Sequence, residues 1–318
     1  MSRFSRLAAV TVAMTFVLVI VGVIVRSTGS GLGCPEWPTC HGSWIPPFDD
    51  IHAIIEWSHR TTAMVVGLLA LAVAITAVVS YRRRPEILWP SLAALVLVVF
   101  QALLGKVTVE SELSGEIVTA HLATAMALFA LLIYLLVRVA YPKALPRAGG
   151  WSGFTWLALI TAIGTYILLL LGAHVRATGA TFVFADWPLM DGSIFPALTD
   201  AAAPQALHRW AGVLVGLLVA VTAIAALAGQ RRHRSAVWLA LLAAVLFPIQ
   251  GVIGATQIWF RLDPWTQIAH LGLACAIWGL LVGLVLVSHY RGRLESEPLL
   301  KPIPRPAPHE AIGVERVP

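Results

Sequence analysis

Charged side chains are scarce in this sequence of 318 residues, since Asp, Glu, Lys and Arg make up only 12% of it. Soluble domains carry roughly 25% of these residues. Together with a hydrophobic content of 58%, this scarcity excludes a soluble enzyme and a disordered protein. Cysteine is also scarce, and three residues are too few for a secreted disulfide scaffold. The remaining class is a protein whose main solvent is lipid.

Long apolar stretches are abundant. A helix that crosses a bilayer needs about 20 apolar residues. Eight stretches meet this length: 7–25, 53–80, 87–108, 116–140, 152–174, 205–229, 235–258 and 265–289. The first is long for a signal peptide and lacks a good cleavage site, so we interpret it as a helix. The sequence therefore predicts an all-α membrane protein with eight transmembrane helices.

The distribution of basic residues predicts the orientation of these helices. Both termini and every second connector are basic, including those at Arg82, Lys143 and Arg231. Only six of the 22 Lys and Arg residues fall on the other side: Arg26, Arg60, Lys106, Arg176, Arg209 and Arg261. The positive-inside rule then places both termini in the cytoplasm and the protein in the cell membrane. The net charge of +6 reflects this topology, and we expect no nucleic-acid partner.

The second half of the chain repeats the first. Val25-Arg26-Ser27-Thr28-Gly29 is matched 150 residues later by Val175-Arg176-Ala177-Thr178-Gly179. After the loss of one residue in the second long connector, the matches continue at an offset of 149. Polar residues that match at one offset are hard to obtain by chance, so the repeat indicates a duplication.

Each half holds four spans, an even number, so an axis along the membrane normal should relate the halves. We expect two tandem, pseudo-symmetric four-helix bundles. The predicted division is an N-terminal half at 1–142, a C-terminal half at 143–289 and a disordered cytoplasmic tail at 290–318.

Four histidines fall inside apolar spans, at His59, His121, His208 and His270. Ionisable residues within a membrane usually mark a functional site. The spans two, four, six and eight run in one direction, and each histidine lies one to two turns from the outer end. Each bundle thus presents two imidazoles at one depth, which suits the two axial positions of a haem iron. Zinc would need further ligands, and the alternative is a structural role in hydrogen-bond networks.

Cations near the outer ends of the spans are candidates for binding haem propionates. Arg26, Arg60, Arg176 and Arg209 could donate paired hydrogen bonds to a carboxylate, or they could extend towards lipid phosphates. Lys106 is a fifth candidate, and it belongs to the first half alone because Ala255 stands at the equivalent position.

The two halves differ beside the first histidine of each pair. Glu56 stands three residues before His59 on the same helical face, whereas the second half has Gln205. A carboxylate can accept a proton or stabilise a developing cation, which an amide cannot do. The alternative is a glutamate that faces lipid headgroups. This difference predicts chemistry in the first half and a permanent cofactor in the second.

The first long connector also contains Cys34 and Cys40, where the second has Phe184 and Met190. We expect the cysteines to form a disulfide, because an outer loop lies in an oxidising compartment. The disulfide could be structural, or it could exchange electrons with an outside thiol system.

The run from Val25 to Pro38, with Cys34-Pro35-Glu36-Trp37-Pro38 at its end, and the later Glu56-Trp57-Ser58-His59-Arg60 resemble the haem A synthase family. The similarity covers about 7–289. The resemblance implies an oxidoreductase that converts the C8 methyl group of haem O into a formyl group through a hydroxymethyl haem.

The resemblance also implies roles for individual residues. His59 and His121 would hold the substrate haem O, His208 and His270 would ligate a haem b cofactor, and Glu56 would be the catalytic carboxylate. Cys34 and Cys40 match the cysteine pair of the family's first outer loop. Some members carry a second pair in the later loop, which this sequence lacks.

Three other functions are compatible with parts of the pattern. A diheme b-type electron carrier explains the four histidines but leaves Glu56 without a role. A thiol oxidoreductase would use Cys34 and Cys40, and a transporter would account for the repeat alone. The sequence identifies neither the electron acceptor nor any contact with the enzyme that makes haem O, and the remaining partner is membrane lipid.

Overall fold

The computed structural model describes residues 2–145 and 151–295, and within these ranges the chain forms eight long helices and no extended strand. The helices are α1 (Arg3–Ser27), α2 (Ile51–Ser80), α3 (Pro85–Glu110), α4 (Gly115–Arg138), α5 (Gly153–Ala177), α6 (Ala203–Gly229), α7 (Arg234–Trp259) and α8 (Pro264–Glu295). The shortest has 24 residues and the longest 32, so each can cross a bilayer. The prediction of an all-α, eight-span membrane protein is confirmed.

The helices that open the two halves begin in the same way. The Ser2 hydroxyl accepts a hydrogen bond from the Ser5 amide at 3.0 Å, and the Ser152 hydroxyl accepts one from the Thr155 amide at 3.2 Å. Such N-caps satisfy amides that a helix leaves without partners in its first turn. The matching caps extend the repeat to the first residues of each bundle.

Each half is a closed bundle in which consecutive helices pack together and the fourth packs against the first. As a result α2 lies diagonally opposite α4, and α6 lies diagonally opposite α8. Many of the buried residues between the helices are alanines, among them Ala70, Ala77, Ala94, Ala223 and Ala240. Small residues let helix backbones approach closely in a membrane, where lipid supplies no hydrophobic force to drive helices together.

The two bundles meet along α4 and α8, with further contacts of α1 with α8 and of α4 with α5. Met126 and Cys275 are equivalent in the repeat, and their sulfur atoms lie 3.5 Å apart in this interface. Equivalent residues meet in this way when a pseudo-twofold axis passes between them. Cys275 is fully buried and is a small core residue.

The last helix is longer than the sequence suggested, because α8 continues to Glu295 and not only to 289. Tyr290 is buried, its ring lies 5.0 Å from that of Tyr141, and the Arg138 guanidinium lies 5.4 Å from its centre. These contacts stabilise the additional turns. The expectation of a disordered tail is therefore wrong for 290–295, and the rest of that tail lies outside the described residues.

Candidate functional site

A cavity of about 1600 Å³ reaches into both bundles. Its lining includes all four intramembrane histidines, together with Glu56, Gln205, Arg26, Arg60, Arg176 and Arg209. Pockets for one small molecule have volumes of roughly 300–1,000 Å³, so this cavity suits two ligands. The diagonal helices of each bundle supply the histidines from opposite walls.

Each histidine ring packs against a glycine of the preceding helix. A methyl group built on the glycine would lie 3.1 Å from Cε1 of His59 at Gly22 and 3.5 Å from Cε1 of His121 at Gly105. In the second half the corresponding distances are 2.9 Å from His208 at Gly172 and 2.9 Å from His270 at Gly254. Because a side chain at Gly22, Gly172 or Gly254 would press on the ring, these three glycines restrict where their imidazoles stand, whereas Gly105 leaves an ordinary contact.

The surroundings of Nδ1 indicate which nitrogen of each histidine ring faces the cavity. The Nδ1 atoms of His59, His121 and His208 are buried and have no hydrogen-bond partner among the described residues. Nδ1 of His270 lies 3.1 Å from the Gln250 amide nitrogen. We therefore expect Nε2 to be the nitrogen that faces a ligand in the cavity, and neutral imidazole is a good ligand for haem iron.

Glutamines support the second histidine of each pair. The Gln101 amide donates to the main-chain carbonyl of His121 at 3.0 Å, and the Gln250 amide donates to that of His270 at 2.8 Å. These bonds tie α3 to α4 and α7 to α8 at the level of the histidines.

The donor set of the cavity fits haem better than zinc. Within residues 2–145 and 151–295 there is no group of three or more His, Cys, Asp or Glu side chains that could hold a metal ion. A zinc site needs three or four protein ligands, whereas a haem iron needs two axial ones. Two imidazoles on opposite walls of each bundle meet the second requirement.

Glu56 lies beneath the first long loop, which joins α1 to α2 (28–50), and only 3% of its surface is exposed. Its carboxylate accepts a hydrogen bond of 2.7 Å from the Cys34 amide and forms an ion pair with Arg60. Since both partners are fixed, the carboxylate stands in one position at the edge of the cavity, one turn of α2 from His59.

Arg60 holds the first long loop on the bundle. Nη1 donates to the carbonyls of Glu36 at 2.6 Å and Thr39 at 2.8 Å, and Nη2 donates to that of Cys34 at 2.7 Å. Together with the ion pair to Glu56, these bonds use most of the donors of the guanidinium.

Arg209 holds the second long loop, which joins α5 to α6 (178–202), with equivalent bonds. Nη1 donates to the carbonyls of Asp186 at 2.8 Å and Leu189 at 2.6 Å, and Nη2 donates to that of Phe184 at 3.2 Å. Gln205 replaces the carboxylate, and its oxygen accepts from the Phe184 amide at 2.7 Å. The two loops are thus held by equivalent hydrogen bonds, and the position of Glu56 and Gln205 carries a charge only in the first half.

Cys34 and Cys40 form the expected disulfide, and both are buried, with exposures of 0% and 1%. The Cys40 amide also donates to the Ser43 carbonyl at 2.8 Å, as Met190 does to Ser193 in the second loop. Thiol exchange needs an accessible sulfur, so the burial supports a structural role.

The remaining predicted propionate partners have different surroundings. Arg26 and Arg176 line the cavity in the last turns of α1 and α5, and neither has a hydrogen bond or ion pair among the described residues. Lys106 instead forms an ion pair with Glu110, with 3.4 Å between nitrogen and oxygen, and is absent from the cavity lining in the described part of the chain.

Sequence reasoning missed the glycines that support the rings and the role of Arg60 as the partner of Glu56. Gly22 and Gly172 match at the offset of 150, so the repeat contained a signal for them. Glu56 and Arg60 stand four residues apart, a spacing at which opposite charges pair on a helix.

The fold and the paired histidines define a polytopic membrane protein with two internally repeated candidate haem sites. The family model of the cytochrome oxidase assembly proteins, COX15-CtaA, matches residues 5–53 and 49–282. The chain belongs to this family.

Curated relatives agree with this assignment. The Heme A synthase of Shouchella clausii is 30% identical over 91% of this chain and 98% of its own length. The Heme A synthase of Bacillus licheniformis is 30% identical over 90% of this chain and 96% of its own length. The Heme A synthase of Symbiobacterium thermophilum is 31% identical over 90% of this chain and 97% of its own length. The resemblance noted in the sequence is confirmed.

Proposed function

We propose that the protein is a haem A synthase, a membrane oxidoreductase that converts the C8 methyl group of haem O into a formyl group by way of a hydroxymethyl haem. The observation that carries this proposal is the asymmetry between two otherwise equivalent sites. Only the first places a carboxylate, Glu56, one helical turn from a candidate axial histidine. The family membership supports the same reaction.

In this proposal His59 and His121 hold the substrate haem O in the first bundle. His208 and His270 hold a resident haem b in the second bundle, where it supplies a centre that can take up and pass on electrons. Both assignments rest on the presence of the four histidines in the cavity lining and on the rings' glycine contacts. Arg26 and Arg176 are the propionate partners that we favour, because the guanidinium groups of Arg60 and Arg209 are occupied by loop carbonyls.

Glu56 is the proposed catalytic carboxylate. Each oxidation removes two electrons and a proton from a carbon on the edge of the porphyrin, where positive charge develops. A water molecule then adds its oxygen and releases a proton, and the electrons pass to an external acceptor. A carboxylate fixed beside that edge stabilises the charge or accepts a proton. Gln205 in the second site can do neither, which agrees with a haem there that is not consumed.

The outer loops, 28–50 and 178–202, are proposed to lie outside the cell membrane, with both termini in the cytoplasm. The distribution of Lys and Arg carries this orientation. In this orientation the buried disulfide of Cys34 and Cys40 would lie in an oxidising compartment.

The test is the identity of the bound haems. The protein is produced in cells that make haem O and purified in detergent, and its extracted haems are separated by chromatography with mass detection. We expect haem b together with haem A or its hydroxymethyl precursor. Membranes from the same cells without the protein are the control.

A different result would favour a different function. Haem b alone, with haem O supplied and unchanged, would contradict the synthase and support a diheme electron carrier. Loss of activity on replacement of the cysteines, with the histidines dispensable, would support a thiol oxidoreductase.

A further inference from the structure

The cavity extends further from the outer loops in the first bundle than in the second. In the first bundle its lining continues along α2 to Leu68 and Leu71 and along α3 to Leu95. In the second bundle the lining of the equivalent helices ends at Gly216 of α6 and Phe247 of α7. The additional space forms a slot between α2 and α3.

One pair of equivalent residues accounts for this difference. Val98 faces Gly67 in the first bundle, where a methyl group built on the glycine would lie 3.6 Å from Cγ1. Phe247 faces Gly216 in the second, and there the distance to Cε1 is only 3.0 Å. The phenylalanine ring therefore fills the space between α6 and α7 that stays open between α2 and α3.

The α2–α3 slot is apolar and opens towards lipid. Leu68 and Leu71 line it and are 60% and 41% exposed, so one wall of the slot lies on the membrane-facing surface. The slot is continuous with the site of His59, and Leu71 stands twelve residues after His59, which corresponds to roughly 18 Å of helix. These dimensions suit an extended hydrocarbon chain.

We propose that the α2–α3 slot binds the isoprenoid chain of the substrate haem, and that Val98 and Phe247 determine which bundle accepts a haem with such a chain. This inference rests on the proposed function, because haem O carries an isoprenoid chain and haem b does not. An apolar slot stabilises the chain by removing it from the polar part of the cavity and leading it towards lipid. The second bundle, closed by Phe247, selects the haem without a chain.

The experiment measures haem binding without turnover. The protein is purified from cells that lack haem O. Its first site is then titrated with haem O and, separately, with haem b, and binding is monitored by the change in the absorption spectrum. Val98→Phe should weaken haem O binding by about tenfold or more, since several methylene groups lose their apolar contacts, and should change haem b binding by less than about twofold. Haem b retained in the second site reports that the variant is folded.

A matched pair of substitutions provides the control. Leu68 and Leu217 are equivalent in the repeat and similarly exposed, at 60% and 61%, but only Leu68 lines the cavity. Leu68→Trp should weaken haem O binding selectively, and Leu217→Trp should leave both titrations unchanged. Phe247→Val should in turn allow the second site to take up haem O.

Two outcomes would overturn the proposal that the α2–α3 slot binds the isoprenoid chain. One is unchanged haem O binding in both Val98→Phe and Leu68→Trp. The other is an equal loss of haem O and haem b, which would indicate damage to the histidine site. Selective binding of haem O by a protein that forms no haem A would overturn the proposed reaction and leave the slot intact. Haem A formation that is normal and unaffected by Val98→Phe would overturn the slot and leave the proposed reaction intact.

Discussion

Glu56 and Gln205 occupy equivalent positions in the two bundles, and each accepts a hydrogen bond of 2.7 Å from a loop amide. Their second partners differ. Glu56 pairs with Arg60, whereas the Gln205 amide donates to the Thr181 carbonyl at 2.9 Å. An amide fulfils the structural role of the position as well as a carboxylate does. The charge in the first bundle is therefore not needed to hold the loop, and this is the strongest argument that it serves chemistry.

The largest effect is expected when one histidine of each pair is replaced, because each bundle should then lose its own haem. His121→Ala should abolish binding of the substrate haem and spare haem b, whereas His270→Ala should abolish binding of haem b, because each variant removes one axial ligand. The haem content of the purified variants is the measurement. Loss of the same haem from both variants would contradict the division between the bundles.

A smaller effect is expected from the glycines behind the rings. Gly254→Ala would place a methyl group 2.9 Å from the His270 ring, whereas the equivalent Gly105→Ala leaves 3.5 Å to the His121 ring, an ordinary contact. Overpacking of this kind costs about 1–3 kcal/mol, so haem binding in the second bundle should weaken by about tenfold in Gly254→Ala. Gly105→Ala should behave like the unmodified protein in the same titration, and equal effects of both changes would refute the argument from distance.

The disulfide should matter for stability more than for turnover. Replacing Cys34 and Cys40 together by Ala removes a short cross-link, which typically contributes roughly 2 kcal/mol to the free energy of unfolding. Glu56 is bonded to the Cys34 amide and not to sulfur, and the second loop keeps the same backbone bonds without a disulfide. We expect a lower thermal midpoint with haem A formation retained. Loss of activity at an unchanged midpoint would instead indicate electron exchange through the cysteines.

The smallest effect concerns Asp186 of the second loop. Hydrogen bonds from the Gly192 and Asp191 amides hold the pKa of this exposed carboxyl below its usual value. A lowered pKa stabilises the folded loop at neutral pH, and the contribution is lost as the pH falls below about 4. Asp186→Asn should therefore loosen the loop slightly at neutral pH and remove this part of its acid sensitivity. Hydrogen exchange of the Asp191 and Gly192 amides, followed at neutral and at acidic pH, measures both effects. Unchanged protection of these amides at neutral pH in the variant would contradict the prediction.

Much of the fold could be predicted from the sequence, because a bilayer imposes a simple length and polarity rule. The eight spans, the duplication and the four histidines all followed from residue type and spacing. The end of α8 did not, since the packing of Tyr290 against Tyr141 and Arg138 joins residues far apart in the chain.

The site could be predicted less completely. The sequence singled out Arg26, Arg60, Arg176 and Arg209 alike, because all four lie near the outer ends of spans. Only the folded loops distinguish them, since the carbonyls that occupy Arg60 and Arg209 come from turns whose shape has no simple sequence signature. The difference between Val98 and Phe247 likewise predicts the size of the cavity only when the glycines that face them, Gly67 and Gly216, are known.

The most direct test of the account is a single turnover of Glu56→Gln. The variant keeps the shape of the side chain, and Gln205 demonstrates that an amide fits the equivalent position. Loaded with haem O, it should retain haem b and bind haem O, but form haem A about 10²–10³-fold more slowly, as expected when one fixed electrostatic contact to a transition state is removed. Formation of haem A at the unmodified rate would contradict a catalytic role for Glu56 and the division of labour between the bundles.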